Sequence, residues 1–302
     1  MRVDVYALEK LGLCLLMASK YTGINGQDGM QEFIQTQEAW LRLGSFAGAL
    51  LLLAGVERLW PRRRFSTGLR RIAVNLFMVV FNTLVLRMTF PLLAVGAALW
   101  AQQQGWGLFN AMAWPWALEV AAAIVLLDMI IYWQHRLMHA VPLLWRLHRM
   151  HHSDLAFDVS TAVRFHPVEI MLSMGIKMGA VVVLGADPVA VILFEILLNA
   201  ASLFEHANLR LTEAVDHGLR RLIVTPDMHR VHHSWYREET DSNYGFCLSI
   251  WDRLFGSYRA QPRDGHDEMT IGLREFREGE DQQFVRLLWQ PIRNNVAPEP
   301  QD

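Results

Sequence analysis

The sequence predicts an all-α fold, a polytopic membrane helical bundle with a histidine-rich cap at one membrane face. Three observations predict it. Apolar residues make up 52% of the 302 residues and charged residues only 19%, where a soluble domain carries about 25% charged residues. Apolar stretches of membrane-crossing length recur over 39–60, 72–100, 113–133, 170–186 and 189–205. Eleven of the twelve histidines fall between positions 135 and 233, eight of them in clusters with helical spacing. The formal net charge of −2 gives no electrostatic basis for binding nucleic acid. Cys14 and Cys247 form neither a CxxC pair nor a disulfide framework.

Residues 1–38 read as an N-terminal segment. The first 22 are moderately apolar, but Glu9 and Lys10 interrupt them and no small-residue cleavage site follows, which argues against a cleaved signal peptide. A helix over 4–20 lying at the membrane interface is expected, and the turn-rich 21–29 reads as a loop.

Residues 39–260 read as one membrane-embedded domain. The span 39–60 ends at Glu57, Arg58 and Trp60, and five arginines follow between 61 and 71. By the positive-inside rule this is a cytoplasmic loop rather than a nucleic-acid patch. At about 1.5 Å per residue, 72–100 exceeds the roughly 30 Å of a bilayer core, so it tilts or kinks at Pro91. The loop after it lacks Lys and Arg and suits the far side. Residues 113–133 then return and deliver His135 to the arginine side. Pro142 separates the first two histidine clusters, so two helices meet there at an angle. Asp187-Pro188 turns the last two spans into a hairpin, with Lys177 and Glu195 placed to pair inside it. Counted this way, every cluster lies at one cytoplasmic face. The tail, 261–302, is polar, ends in VAPEPQD and is expected to be mobile.

His135 and His139 are four apart. His148, His151 and His152 are spaced three and one, and His229, His232 and His233 repeat that spacing. Residues at i, i+3 and i+4 share a helix face, so each cluster presents its imidazoles together. Neutral imidazole is the commonest metal-ligating side chain. Eight such groups exceed the four ligands of one tetrahedral ion, which favours two metals. Solvated histidines or a single structural zinc are the plainer reading of one cluster taken alone. His206 is a further candidate ligand, and Asn208 is placed to hydrogen-bond a ligand or a bound water. Asp128, Tyr132, His135 and His139 share a face, making Asp128 a candidate acceptor for a ligand imidazole N–H; pairing with an arginine is the alternative. His217 has no partner at helical spacing and is expected at the surface, and His266, in a polar loop, is assigned no role.

The order HxxxH, HxxHH, HxxHH resembles the fatty acid hydroxylase and sterol desaturase superfamily of membrane di-iron oxygenases. Neighbouring residues extend the likeness. They are Asp128, Tyr132-Trp133, Leu144-Trp145, Ser153, Arg164-Phe165-His166-Pro167 and His206-Ala207-Asn208. Further on come Thr225-Pro226, Ser234, Asn243-Tyr244-Gly245 and Trp251-Asp252-Arg253-Leu254-Phe255-Gly256. The resemblance covers roughly 70–260 and neither end of the chain. It implies two iron ions on these histidines, with His166 of the recurrent histidine–proline pair as a ligand or as support for one. It implies O2-dependent hydroxylation, desaturation or ether cleavage of a lipid entering from the bilayer. It also implies an external electron donor (a cytochrome b5-like protein, ferredoxin or reductase), since the chain has no dinucleotide fingerprint and no haem or iron–sulfur motif. The expected setting is a bacterial inner membrane with the site on the cytoplasmic face. Two rival readings use the same imidazoles. A di-zinc hydrolase normally recruits bridging carboxylates, and HExxH is absent. A metal transporter holds its site near the midplane on broken helices, whereas these clusters fall just outside the spans.

Overall fold

A computed structural model describes residues 26–65, 68–112 and 114–294, with side chains from residue 36 onward. The expected interfacial helix over 4–20 lies outside the described residues. Ten helices carry the argument: α1 (Gly26–Leu59), α2 (Leu69–Thr89), α3 (Ala94–Gln104), α4 (Trp116–Ala140), α5 (Pro142–His152), α6 (Pro167–Leu184), α7 (Pro188–Glu205), α8 (Glu213–Leu219), α9 (Pro226–His232) and α10 (Arg237–Thr240). Further short pieces follow: α11 (Ile250–Leu254), α12 (Gly265–Glu268) and α13 (Phe284–Trp289). Among the described residues there are no strands, only isolated bridges such as Pro61 with Leu209. Residues 26–29, expected in a loop, are the first turn of α1; turn propensity is a weak prior beside a long helix that they can simply extend.

Two compact units divide the chain, Met1–Gly44 and Ser45–Asp302. Five helical stretches among the described residues are long and apolar enough to cross a membrane: Thr36–Leu59, Leu69–Gln104, Trp116–Ala140, Pro167–Leu184 and Pro188–Glu205. Their outward faces expose large apolar side chains, among them Leu51, Leu52, Leu84 and Val183. A helix satisfies its own backbone, so lipid can cover such faces at no hydrogen-bonding cost.

Within the second unit the helix ends fix the sidedness of the bundle. The Leu69–Gln104 stretch breaks between Thr89 and Ala94 around Pro91, which lacks a backbone donor and cannot continue the helical ladder. It still makes one crossing. At its start Arg71 pairs with Asp154 and Asp158, and Asn82 donates to the carbonyl of Phe165 just before α6. Beyond its end, the Leu108 N–H donates to Val183 O at the opposite end of α6. Gly107, at φ 103°, comes so close to Gly185 that an added Cβ would collide with its backbone nitrogen. No side chain fits in that contact. Trp116 Nε1 donates to Asp187, so α4 starts from the same far end, and Lys177 pairs with Glu195 inside the α6–α7 hairpin as expected. The ends at Leu59, Leu69, Ala140, Pro167 and Glu205 therefore gather at one face.

The cap is built on that face. Pro142 opens α5 at a first-turn position, where its missing N–H would have had no partner anyway. Arg71 and Asn75 of α2 bind the 153–166 loop through Asp154, Asp158 and Ser160. Removing one member of such a buried ionic cluster costs about 3–5 kcal/mol. Glu57 at the end of α1 accepts from Val159 N–H and Asn208 N–H, tying that loop to the segment after α7.

The expectation of a mobile tail does not hold over residues 261–294. Leu287 packs with Met78 and Met150 in a buried cluster joined by Phe284 and Leu288. Arg149 Nη2 donates to Gln290 O, and Arg164 reaches Gln282. The signal lay in the apolar residues of FVRLLW, at helical spacing inside an otherwise polar stretch.

Candidate metal centre

Four segments converge under the cap. The last turns of α4 carry His135 and His139, α5 carries His148, His151 and His152, the residue capping α7 is His206, and α9 with its cap supplies His229, His232 and His233. All nine are buried. They separate into two groups whose nitrogens can each surround one ion: His135, His139, His148, His152 and His232 in the first, His151, His206, His229 and His233 in the second. In the first group Nε2 of His135 lies 3.1 Å from Nε2 of His148 and 3.1 Å from Nε2 of His232. In the second, Nε2 of His206 lies 3.2 Å from Nε2 of His151 and 3.1 Å from Nε2 of His229. Nitrogens bound at about 2.0–2.1 Å to one ion sit roughly 3.0–3.4 Å apart, so the donor spacing fits a metal in each group.

The HxxHH spacing does not present a cluster to one ion. Its helical register sends His148 and His152 to the first group and His151 to the second, and the α9 cluster divides in the same way, His232 from His229 and His233. Each HxxHH box therefore feeds both positions, which holds the two positions side by side.

The rings are oriented from behind. Nδ1 of His135, His232 and His206 lies 2.8, 2.6 and 2.7 Å from the carbonyl oxygens of Tyr244, Ser242 and Ser202. A carbonyl only accepts, so each Nδ1 carries the proton and each Nε2 lone pair points inward. Nδ1 of His148 meets Glu169 Oε1 at 2.6 Å, and Nδ1 of His139 meets Asp241 Oδ1 at 3.2 Å. His139 Nε2 and both ring nitrogens of His233 are buried without a hydrogen-bond partner. Orphaned buried donors of this kind are what a bound metal would satisfy.

Burial, reinforced by neighbouring imidazoles, pushes His151, His152, His229, His232 and His233 well below the ordinary imidazole value. Burial pushes His206 down to about 4, against the opposing pull of the Ser202 carbonyl. At neutral pH these rings are uncharged, the form that binds metal.

Three expected roles differ in the structure. His166 lies in neither group: its Nδ1 accepts from Val168 N–H at the start of α6, and its Nε2 donates to Leu288 O. Preceding Pro167, it has extended backbone and serves as a helix cap. Asp128 touches no ligand imidazole. It accepts from Cys247 N–H, Leu248 N–H and Trp251 Nε1, and so docks the loop that follows Tyr244. Asn208 exchanges hydrogen bonds with the Arg63 backbone instead of facing the centre. His217 is exposed, as expected.

Sequence reasoning missed Glu169 and Asp241, which lie 21 and 102 residues along the chain from the rings they meet. It also missed the two carbonyls that orient His232 and His135. Asn243 separates them at φ 51°, a left-handed conformation, and its side chain donates to Met228 O and Arg259 O. That turn aims Ser242 O and Tyr244 O at two different rings. Asp252 then accepts from Tyr244 N–H and Gly245 N–H and keeps the turn in place.

Beside the second group lies a cavity of about 610 Å³, lined in part by Arg62, Arg63, Arg64, Phe157, Asp267 and Arg277. Phe157 forms the wall between the two, its ring 5.6 Å from that of His206.

Residues 120–257 match the fatty acid hydroxylase family. The chain is 33% identical over 159 residues to the ornithine lipid hydroxylase OlsE of Rhizobium tropici, covering 52% of this chain and 47% of that protein. It is 32% identical over 175 residues to the human alkylglycerol monooxygenase (56% and 36% covered). It is 28% identical over 188 residues to the Delta(7)-sterol 5(6)-desaturase erg3C of Aspergillus fumigatus (54% and 55% covered). The chain thus spans about a third to a half of the length of these curated relatives. No solved structure gives a significant match. Histidine boxes, helical bundle and sequence similarity agree: the 120–257 segment is similar to the fatty acid hydroxylase family.

Proposed function

We propose that this protein is an O2-dependent di-iron oxidoreductase that hydroxylates or desaturates an unactivated C–H bond of a membrane lipid. The observation that carries the reading is the pair of adjacent buried imidazole groups, five and four, at the capped end of an apolar helical bundle. The relatives support it, being named for hydroxylation, monooxygenation or desaturation of lipids. Iron ions held there would supply electron uptake and dioxygen activation, with electrons from an external carrier such as a cytochrome b5-like protein, a ferredoxin or a reductase.

The protein's own contribution is geometric. Carbonyls and carboxylates hold His135, His139, His148, His206 and His232 each in one tautomer, and the low basicity of rings such as His206 keeps acid from displacing metal at neutral pH. The buried setting excludes bulk water, and an alkyl chain held beside the centre needs only one carbon within reach. The cavity beside Phe157 carries charges of both signs, Arg62–Arg64 and Arg277 against Asp158, Asp267 and Glu268, and suits a polar lipid headgroup. By the positive-inside rule the arginine-rich loop supports a cytoplasmic setting for the site, on the inner membrane of a bacterium.

The test is metal content in detergent-purified protein from iron-supplied cells, beside a His151→Ala/His232→Ala double variant, followed by lipid turnover with and without O2. About two irons per chain, lost in the variant together with O2-dependent lipid oxidation, is the expected result. Full turnover in the variant would overturn the proposal.

A further inference from the structure

The two imidazole groups are unequal. The first has five histidines and the second four. Glu205, at the last position of α7 and next to His206, stands beside the smaller group. Its side chain is fully buried, and neither carboxylate oxygen has a hydrogen-bond partner. Oε1 lies 3.6 Å from His206 Nδ1 and 3.8 Å from His229 Nε2. Neither nitrogen relieves it. His206 Nδ1 gives its proton to Ser202 O, and His229 Nε2 faces the Nε2 of His206 within the group. Asp128 and Asp252, the carboxylates that act on it, bring only like charge. A buried carboxylate with no donor and no cation is among the costliest arrangements a fold can hold. A cation among His151, His206, His229 and His233 would resolve it.

We propose that Glu205 is the fifth donor of the second metal position, so that one ion is held by five neutral imidazoles and the other by four imidazoles and a carboxylate. The distance from Glu205 Oε1 to His229 Nε2 exceeds the separations among neighbouring ring nitrogens by only about 0.6 Å, the difference between 3.8 and 3.2 Å. Side-chain rotation covers such a gap. The carboxylate makes the second position less positive when loaded and distinguishes the two ions electronically. The inference rests on the two-metal reading above.

The test compares wild-type protein with Glu205→Gln, both purified from cells supplied with 57Fe. Iron per chain is measured, with Mössbauer spectra of the reduced proteins and thermal melting before and after iron removal. The wild type is expected to hold two irons with two distinct quadrupole doublets. E205Q is expected to hold about one, with one doublet lost, and to melt higher than the wild type when iron-free but lower when loaded. A residue that merely packs would not give opposite signs in the two states. If E205Q does not accumulate, Glu205→Asp, which keeps the carboxylate, is expected to retain the second iron at least tenfold more weakly. E205Q with two irons and both doublets unchanged, or E205D with wild-type retention of both, would overturn the assignment. Wild-type protein that binds no iron would overturn the two-iron reading itself, and the assignment with it.

Discussion

Glu169 Oε1 lies 2.6 Å from Nδ1 of His148, and both residues are buried. The contact joins the first turn of a membrane helix to the middle of the cap, across 21 residues of chain. With Nδ1 committed to the carboxylate, the Nε2 of His148 is left for the first group, 3.1 Å from that of His135 and 3.2 Å from that of His152. Losing an orienting partner of this kind typically lowers metal affinity about 10–100-fold. Glu169→Ala should therefore release metal from the first group at roughly 10–100-fold lower chelator concentration. Glu169→Gln should lose less, because its amide oxygen still accepts from Nδ1–H. Chelator competition with a metallochromic indicator checks both; wild-type retention in E169A would leave His148 oriented by its ring neighbours alone.

His166 provides the opposite case. Both its nitrogens are occupied, by Val168 N–H and by Leu288 O. His166→Ala should keep the full metal complement and lose about 1 kcal/mol, the usual value of an N-cap acceptor. Metal analysis beside thermal melting checks this. A variant short of one metal would return His166 to the ligand set.

The contrast between these two residues shows what the sequence could and could not reveal. Spacing within one helix is visible in sequence, so the three boxes were legible, as were the crossings, whose apolar runs and arginine-rich loop are one-dimensional signals. The Lys177–Glu195 pair was legible because a tight turn at Asp187-Pro188 makes hairpin register countable. The division of each HxxHH box between two ions was not legible, since it depends on where neighbouring helices bring their own rings. Nor were the roles of Asp128 and Asn208: a shared helix face says that Asp128 lies near His135, not that Trp251 and two backbone amides will occupy its oxygens first. Glu169, Asp241 and Glu205 are single carboxylates whose meaning arises only from contacts across the fold.

Asp128 is testable on that ground. Asn in its place keeps one acceptor oxygen but turns an amide N–H2 toward backbone or indole donors. At least one buried donor then loses its partner, at about 1–3 kcal/mol. Asp128→Asn should lower the thermal midpoint yet still hold both metals at saturating iron, because the segment it docks supplies no ligand and reaches His135 through Tyr244 O and the rings of Tyr244 and Phe246. Complete loss of one metal in D128N would show that Asp128 acts on a ligand directly.

Acid should dismantle the centre in a defined window. Outside the membrane helices, His151, His152, His229, His232 and His233 are held well below the ordinary imidazole value of 6.5, and His206 at about 4. For a base with a depressed folded-state pKa, the unfolded chain takes the proton first as pH falls. Stability is therefore full above about 6.5 and declines below it, down to the folded-state value. Each such histidine contributes up to about 1.36 kcal/mol per pH unit, so His206 alone costs about 2 kcal/mol at pH 5. Metal release follows the same direction, since protons and metal compete for the same nitrogens. Thermal midpoints of the iron-free protein should drop between pH 6.5 and 4 with a slope steeper than one proton, while the loaded protein should hold until its metal dissociates. Replacing His217, which is exposed, should leave both curves unchanged. A flat profile across this range in the iron-free protein would mean that water reaches and protonates the rings without unfolding, and that the cluster is open rather than sealed.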